Sequence, residues 1–437
     1  MRVVIGTGPG ALRSAAARAV AGEPVLLLQE SDNPYGRTAP WLPEGTGRMY
    51  VSEDLRDAVE AVTGPLVEAP DVTRAVLARG KIRWLPLSKV GVTQLFERYA
   101  MPEVGRRWLE RRLRNAMTPL TGEGREERSY RDWVVRRMGE PLFHHLYAEY
   151  ARARFGADPE DLSCTVARVV HGDALALQRS VQVAGGGPEQ SLEFTKSVIE
   201  SAGGEVRTGV KVRGLAVEDG RVCSVQTEDG DISLEGPLWI ARPPARIASW
   251  LGDALGATLQ HDAQQLRTAD AVQVGLRGGP VDLPDEIHVV GESASFYRVV
   301  TTYGGERSVV FHATVPTGEA LSEGLPARVV ADATKMGLRG FEEAGAVVER
   351  LPDHVPIWTA RCHARLRRLT LAWQELGIVA VGRQGTFSPM DIGQEVAWAQ
   401  AMNGSDTPDQ REALRALLEP PANPSNLWAS AAQFVVS

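Results

Sequence analysis

The chain of 437 residues has three cysteines. Cys164, Cys223 and Cys362 lie far apart and form neither a CxxC pair nor a metal-ligand spacing. An odd, unclustered set fits a reducing compartment and gives no thiol a catalytic role. A basic excess is also missing: 48 Lys and Arg stand against 55 Asp and Glu, a net charge of -7. That argues against a general nucleic-acid binder. No apolar run approaches the roughly 20 residues needed to span a bilayer. No charged leader with an apolar core and cleavage site opens the chain, so the expected location is the cytoplasm. HExxH, nucleophile-elbow and catalytic-triad patterns are missing too. His144 and His145 are adjacent on an expected helix, about 100° apart, and make no two-ligand metal face. No internal repeat or low-complexity tract is present.

What the chain does have begins at its first residues. Val3-Val4-Ile5 reads as a strand, Gly6-Thr7-Gly8-Pro9-Gly10-Ala11-Leu12 as a tight turn entering a helix, and Val25-Leu26-Leu27-Leu28 as a second strand. Gly6 allows the turn and Gly8 lets backbone approach a phosphate. Ala11 stands where a small residue lets helix and strand pack. Free N–H groups at the helix start then face a dinucleotide diphosphate. An acidic residue about 20 residues further on would bond the ribose hydroxyls. In the simplest register Gln29 takes that place, and Glu30 takes it if the strand end shifts by one.

Further along, helices are expected over Glu53–Val62 and Asp71–Leu77, then a hairpin around Gly80. Residues 90–183 read as mostly helical, with Ser129 as an N-cap and Asp132 as its capping-box acid. Gly185-Gly186-Gly187-Pro188 opens a helix to about Ala202. Three strands follow, linked by Glu218-Asp219-Gly220 and Glu228-Asp229-Gly230, both strong hairpin signals. Leu238–Ala241 and residues 268–315 read as strands, Leu325–Ala344 as a helix, Ile378–Gly382 as a buried strand and Gly393–Met402 as a helix. The interleaving suggests two discontinuous units.

Several segments together resemble one family. Ser31-Asp32-Asn33-Pro34-Tyr35-Gly36-Arg37 follows the second strand, with Tyr35 replacing one glycine of the usual pair. Ser129–Trp133 through Phe155-Gly156 and Asp161–Ser163 form a second segment, and Gly185–Gly187 a third. Gly209-Val210-Lys211-Val212, Phe296-Tyr297-Arg298-Val299, Val355–Trp358 and Val381-Gly382-Arg383-Gln384-Gly385 with Met390-Asp391 follow in order. This order, over nearly the whole chain to about residue 402, resembles the FAD-dependent superfamily of flavin amine oxidases, protoporphyrinogen oxidase, phytoene desaturases and UDP-galactopyranose mutase. Gln29, Tyr35, Gly45–Met49 and the residues around Met390 depart from its usual motifs, as in a divergent member.

The resemblance implies an α/β fold: a Rossmann-like FAD-binding domain of the two-dinucleotide-binding-domain flavoprotein type (1–78, 185–265, 370–437) and a discontinuous α+β substrate domain (79–184, 266–369). It implies FAD held by Gly6, Gly8, Pro9, Gly10, Ala11, Leu12, Gln29, Glu30, Gly36, Arg37, Val212, Gly382, Arg383, Met390 and Asp391. Tyr297 and Arg298 would meet a small-molecule substrate. Strand alternation sends them to opposite faces, so at most one faces the cavity, and Tyr297 is the one expected there. The implied activity is oxidation of a small organic substrate by hydride transfer to flavin; no catalytic base is identified, and homodimerisation stays open. Two alternatives remain. One is a flavin-dependent nucleotide-sugar mutase, with Arg298 and Arg365 as diphosphate-clamping arginines. The other is a non-catalytic relative acting in binding or assembly.

Overall fold

A computed structural model describes residues 1–30, 48–52, 56–68, 73–78, 80–84, 127–171, 178–183, 188–291, 293–302, 308–388 and 392–403. The expected opening unit is present as β1 (Arg2–Ile5), α1 (Pro9–Val20) and β2 (Val25–Leu28). Every residue of β2 is buried, the continuous apolar run of a parallel strand covered on both faces. The remaining strands are β3 (Arg48–Ser52), β4 (Leu66–Glu68), β5 (Arg74–Ala78), β6 (Lys81–Trp84), β7 (Gln178–Val183), β8 (Glu205–Arg207), β9 (Val212–Glu218), β10 (Arg221–Thr227), β11 (Gly230–Ser233), β12 (Leu238–Ile240), β13 (Thr268–Gly278), β14 (Glu286–Val289), β15 (Arg298–Thr302), β16 (Ser308–Pro316), β17 (Phe341–Pro356) and β18 (Ile378–Ala380).

Five strands form a parallel sheet in the order β18-β12-β1-β2-β8. The chain winds outward from β1 through β2 to β8, then restarts on the other side with β12 and β18. This is doubly wound topology. Its switch point lies between the carboxyl ends of β1 and β12, where such sheets bind ligands. Beyond β8, β9, β10 and β11 make the expected antiparallel meander. Its first hairpin turns on Asp219 and Gly220, both left-handed at φ +51 and +75.

A second, seven-stranded sheet has the order β17-β13-β16-β15-β14-β5-β6, in which only β14 and β5 run parallel. One face carries Leu77, Ile287, Val299, Val309 and Phe311 and packs on the helix Leu325–Lys335. The other face meets the helix Ala148–Phe155. A small sheet, β3-β7-β4, completes the described strands. One core cluster runs from Ile5, Leu26 and Leu28 through Tyr130, Trp133, Phe143 and Tyr150 to Ile357 and Trp358. It joins the parallel sheet to the helical segment.

The capping box is formed: the Asp132 N–H donates to Ser129 Oγ, and the Ser129 N–H to the Asp132 carboxylate, both at 3.0 Å. Three expectations fail. Asp71–Leu77 is not a helix, because Arg74–Ala78 is β5, paired on both edges. Gln178–Val183 is not helical but is β7, between β3 and β4. The helix from Leu325 stops at Lys335, and Phe341–Ala344 already belong to β17. In each case pairing with neighbouring strands overrides local helix preference.

Candidate functional site

The loops at the carboxyl ends of β1, β2, β12 and β18 meet at the switch point. Gly6 follows β1 with φ +146, and a Cβ there would lie 2.6 Å from the Ala241 Cβ after β12. Glycine is therefore required. Gly8 is the N-cap of α1 and Pro9 its first residue; no side chain caps this end and its first turn holds no acid. Among the described residues the first-turn N–H groups of α1 carry no side-chain cap, and the Glu395 carboxylate stands nearby, with Oε2 3.5 Å from where a Gly8 Cβ would lie. A Cβ on Gly10 would lie 2.7 Å from the Gly382 amide nitrogen, so α1 touches the loop after β18 backbone to backbone. Ala11 and Leu12 are buried against the sheet.

Gln29 stands directly after β2. Its N–H donates to the Arg207 carbonyl at 2.9 Å, and its own carbonyl accepts from the Val210 N–H at 3.1 Å. The backbone is fixed and the side chain fully buried, yet neither amide atom has a hydrogen-bond partner among the described residues. An unpaired buried amide costs about 1–3 kcal/mol. Glu30 turns elsewhere: Arg242 Nε donates to its carboxylate at 2.6 Å and Arg246 lies 3.5 Å away. Val212 is buried at the start of β9, two residues past the Val210 amide that holds Gln29.

On the β18 side, Gly382 is left-handed at φ +66 and packs against the Glu395 carboxylate. Arg383 Nε lies 3.4 Å from Glu395 Oε1, and its Nη1 lies 3.3 Å from His354 Nε2. Glu395 comes from the helix Ile392–Asn403, packed along α1; His354 comes from β17. Arg383 therefore bridges the two large sheets. Burial, with Arg383 adding to it, drives the His354 pKa down to about 3. The ring is neutral at neutral pH, and its Nε2 can accept from the guanidinium.

His354 sits in an irregular stretch of β17. The register shifts between the partners of Ala269 and Ala271, and Asp353 is left-handed at φ +56. Buried Asp270 holds this bulge: it accepts from the Asp353 N–H at 2.9 Å and Thr317 Oγ1 at 2.6 Å, and pairs with Arg350.

The polar face of the seven-stranded sheet lies on the same side. Gln273, His312, Arg298 and His288 form one row across β13, β16, β15 and β14. Glu286, also buried, lies 2.6 Å from Arg298 Nε, 3.2 Å from His288 Nε2 and 3.5 Å from Arg74 Nε. Burial alone would raise its pKa, but Arg298, His288 and Arg74 overcome this and hold it well below the carboxylate range. From the helix Ala148–Phe155, Arg154 Nη1 donates to Tyr150 Oη at 2.6 Å, and that oxygen lies 3.5 Å from His288 Nδ1. Burial, then Arg298, lowers the His312 pKa to about 3, and its Nε2 has no partner among the described residues.

Tyr297 and Arg298 do not point to opposite faces. The Tyr297 ring meets Tyr150 edge-on at 6.3 Å and lies 6.5 Å from His312, on the side where Arg298 meets Glu286. Tyr297 and Arg298 both stand opposite His312: the Tyr297 N–H donates to the His312 carbonyl at 2.9 Å while Arg298 is the register partner of His312, so simple alternation is broken there. Arg365 lies apart, 3.7 Å from Asp262, which Arg368 also holds. Gly36, Arg37, Met390 and Asp391 fall outside the described residues, as do Tyr35 and Gly45–Gly47. Sequence reasoning missed Glu286, His288, His312, His354, Tyr150 and Arg154. The signal was there: Glu286-Ile287-His288-Val289 and Phe311-His312-Ala313 place charge or imidazole at every second residue of otherwise apolar strands.

No protein-family model and no curated protein matches the chain. Solved structures do. A provisionally assigned protoporphyrinogen oxidase from Exiguobacterium sp. 255-15 aligns with TM-score 0.67 at 18% identity, covering 92% of this chain and 98% of its own. Reduced UDP-galactopyranose mutase gives 0.68 at 13% identity, over 98% of this chain and 97% of its own. Putrescine oxidase bound to putrescine gives 0.59 at 14% identity, over 92% and 97%. The chain thus shares the fold of these three proteins at low sequence identity.

Proposed function

We propose that the chain is an FAD-dependent oxidoreductase that oxidises a small organic substrate by hydride transfer to flavin. The observation that carries this reading is Gln29: a fully buried amide without a partner, at the carboxyl end of the second strand of a doubly wound sheet. A ribose hydroxyl pair is what that position holds in such folds. The uncapped N-terminus of α1 fits a diphosphate in the same way.

In this reading Gly6, Gly8, Pro9 and Gly10 hold the diphosphate against α1, with Ala11 and Leu12 packing the turn. Gln29 holds the ribose, with Glu30 kept in place by Arg242, and the Val212 strand lies by the adenine. Gly382 and Arg383 stand on the flavin side, and Gly36, Arg37, Met390 and Asp391 keep the contacts their motifs imply. The cofactor-binding part takes in 1–78, 185–265 and 370–437, less the strand Arg74–Ala78, which pairs with β14 of the substrate part. Bound FAD supplies the two-electron acceptor. The chain's own residues orient the substrate against Tyr297 and Arg298. Arg383, anchored by Glu395 and His354, keeps a fixed positive charge beside that face, while neutral His312 and His354 bring no proton to it.

The test is a visible spectrum of the purified full chain, before and after adding FAD. Oxidised-flavin bands that stay with the protein through gel filtration are expected. Absence of both native colour and FAD uptake overturns the reading.

A further inference from the structure

Glu395 is a buried carboxylate set against the positive end of α1. It comes from the first turn of the helix Ile392–Asn403, which packs along α1. Its two oxygens face different ways. Oε1 lies 3.4 Å from Arg383 Nε. Oε2 lies 3.5 Å from where a Cβ on Gly8 would stand and 3.1 Å from where one on Gly382 would stand. Gly8 is the N-cap of α1, and an N-cap side chain is what commonly reaches the first-turn N–H groups. Having no side chain, Gly8 leaves that approach to a carboxylate from the last described helix.

A buried carboxylate is costly unless positive charge stands beside it. The N-terminus of α1 and the Arg383 guanidinium both supply some. Anchoring Arg383 does not by itself call for an acid beside Gly8, because His354 also holds that guanidinium. The first turn of α1 contains no acid of its own, yet the fold brings one in from elsewhere. Gln29, buried and unpartnered among the described residues, marks the ribose position on the adjoining strand. A diphosphate set against the opening N–H groups of α1 meets Glu395 there. Two anions at one helix end repel each other, and neither draws the full benefit of the dipole.

We infer that Glu395 is the chain's own anion for the α1 N-terminus: it competes with a dinucleotide diphosphate and so sets how tightly the chain holds FAD. The inference deepens the proposed function and rests on its reading of α1 as the diphosphate side.

The experiment compares the full chain with Glu395→Gln, which keeps the shape and removes the charge. FAD, ADP and adenosine are titrated by calorimetry; ADP and adenosine share base and ribose and differ in the diphosphate. FAD and ADP are expected to bind Glu395→Gln about tenfold more tightly, the worth of one charge at a helix end. Adenosine is expected to bind both chains alike, a split that a merely structural Glu395 would not produce. FAD and ADP binding unchanged or weakened in Glu395→Gln overturns the inference, and so does an equal gain for adenosine. If that variant does not fold, Glu395→Asp decides. It draws the charge back from Gly8 and should tighten ADP about threefold; unchanged or weaker ADP binding overturns the inference. If neither chain takes FAD while ADP tightens in Glu395→Gln, this inference stands and the flavin reading fails. FAD uptake with equal affinity in both chains fails this inference alone.

Discussion

At the scale of single residues, the site is marked by polar groups placed where folding alone would not put them. Gln29 is the sharpest case. Replacing a buried, unpaired amide by an apolar group of similar size removes a desolvation penalty, so Gln29→Leu leaves the FAD-free chain as stable or more stable by about 1 kcal/mol. The same change weakens FAD binding by up to about tenfold, the worth of one hydrogen bond. Thermal unfolding without FAD and a fluorescence titration with it read the two effects; loss of stability with unchanged affinity would assign Gln29 to packing. His312 and His354 make a second residue-scale prediction. Both pKa values fall from 6.5 to about 3 on folding. Between those values the unfolded chain binds protons that the folded chain refuses, so stability is full above pH 6.5 and falls as pH is lowered through the window. The slope is on the order of 1 kcal/mol per pH unit for each ring. Depressed Glu286 adds loss in the same direction below about pH 4.5. Urea midpoints at pH 7 and pH 5 should differ, and His312→Gln should flatten the difference. Gln29 was legible in the sequence by its position after an apolar run. His312 was legible as an imidazole set in an apolar strand, but its protonation state was not, because nothing local tells a buried neutral imidazole from an exposed one.

At the scale of elements, the site depends on close approach and on one bulge. A Cβ on Gly10 would press on the Gly382 backbone, which cannot swing away as a side chain could. Gly10→Ala should cost about 1–3 kcal/mol, the usual range for overpacking. Gly220→Ala, in the open hairpin between β9 and β10, meets no neighbour and costs only the strain of its left-handed backbone. The bulge of β17 gives a contrasting case. Asp270 accepts from Asp353 and Thr317 and pairs with Arg350, so Asp270→Ala leaves buried donors unpaired and frees the turn that carries His354 to Arg383. Destabilisation of about 2–4 kcal/mol is expected from losing this partly buried network. In FAD-loaded protein, a changed flavin spectrum would show that the bulge positions Arg383; stability loss with an unaltered spectrum would confine it to structure. Elements with local signals were legible: the βαβ opening, the Asp-Gly hairpins and the Ser129 capping box. Gln178–Val183 was not, because its strand state comes from partners more than a hundred residues away; Arg74–Ala78 has one such partner in β14 and a local one in β6 across Gly80.

At the scale of the whole molecule, the question is whether the two large sheets behave as one body. Two links say that they do. The core cluster passes without a break from Ile5 and Leu28 of the parallel sheet through Tyr130, Trp133 and Phe143 to Trp358 beside the second sheet. Arg383, held by Glu395 on one side and His354 on the other, adds a polar bridge over the same boundary. A shared apolar core makes partial unfolding expensive, because opening either sheet strips its neighbour of buried area. The chain should therefore unfold in a single transition, with tryptophan fluorescence and far-ultraviolet circular dichroism coincident. Its ten tryptophans include Trp133, Trp239 and Trp358, which sample the helical segment, the first sheet and the junction with the second. A ligand bound only to the folded state raises the stability of everything coupled to its site. FAD at a hundred times its Kd adds about 2.7 kcal/mol. If the sheets are one body, FAD moves the single transition as a whole although its diphosphate touches only the first sheet. Two separate transitions, with FAD shifting one and leaving the other in place, would show that the long core cluster does not transmit stability and that the sheets are independent folding units.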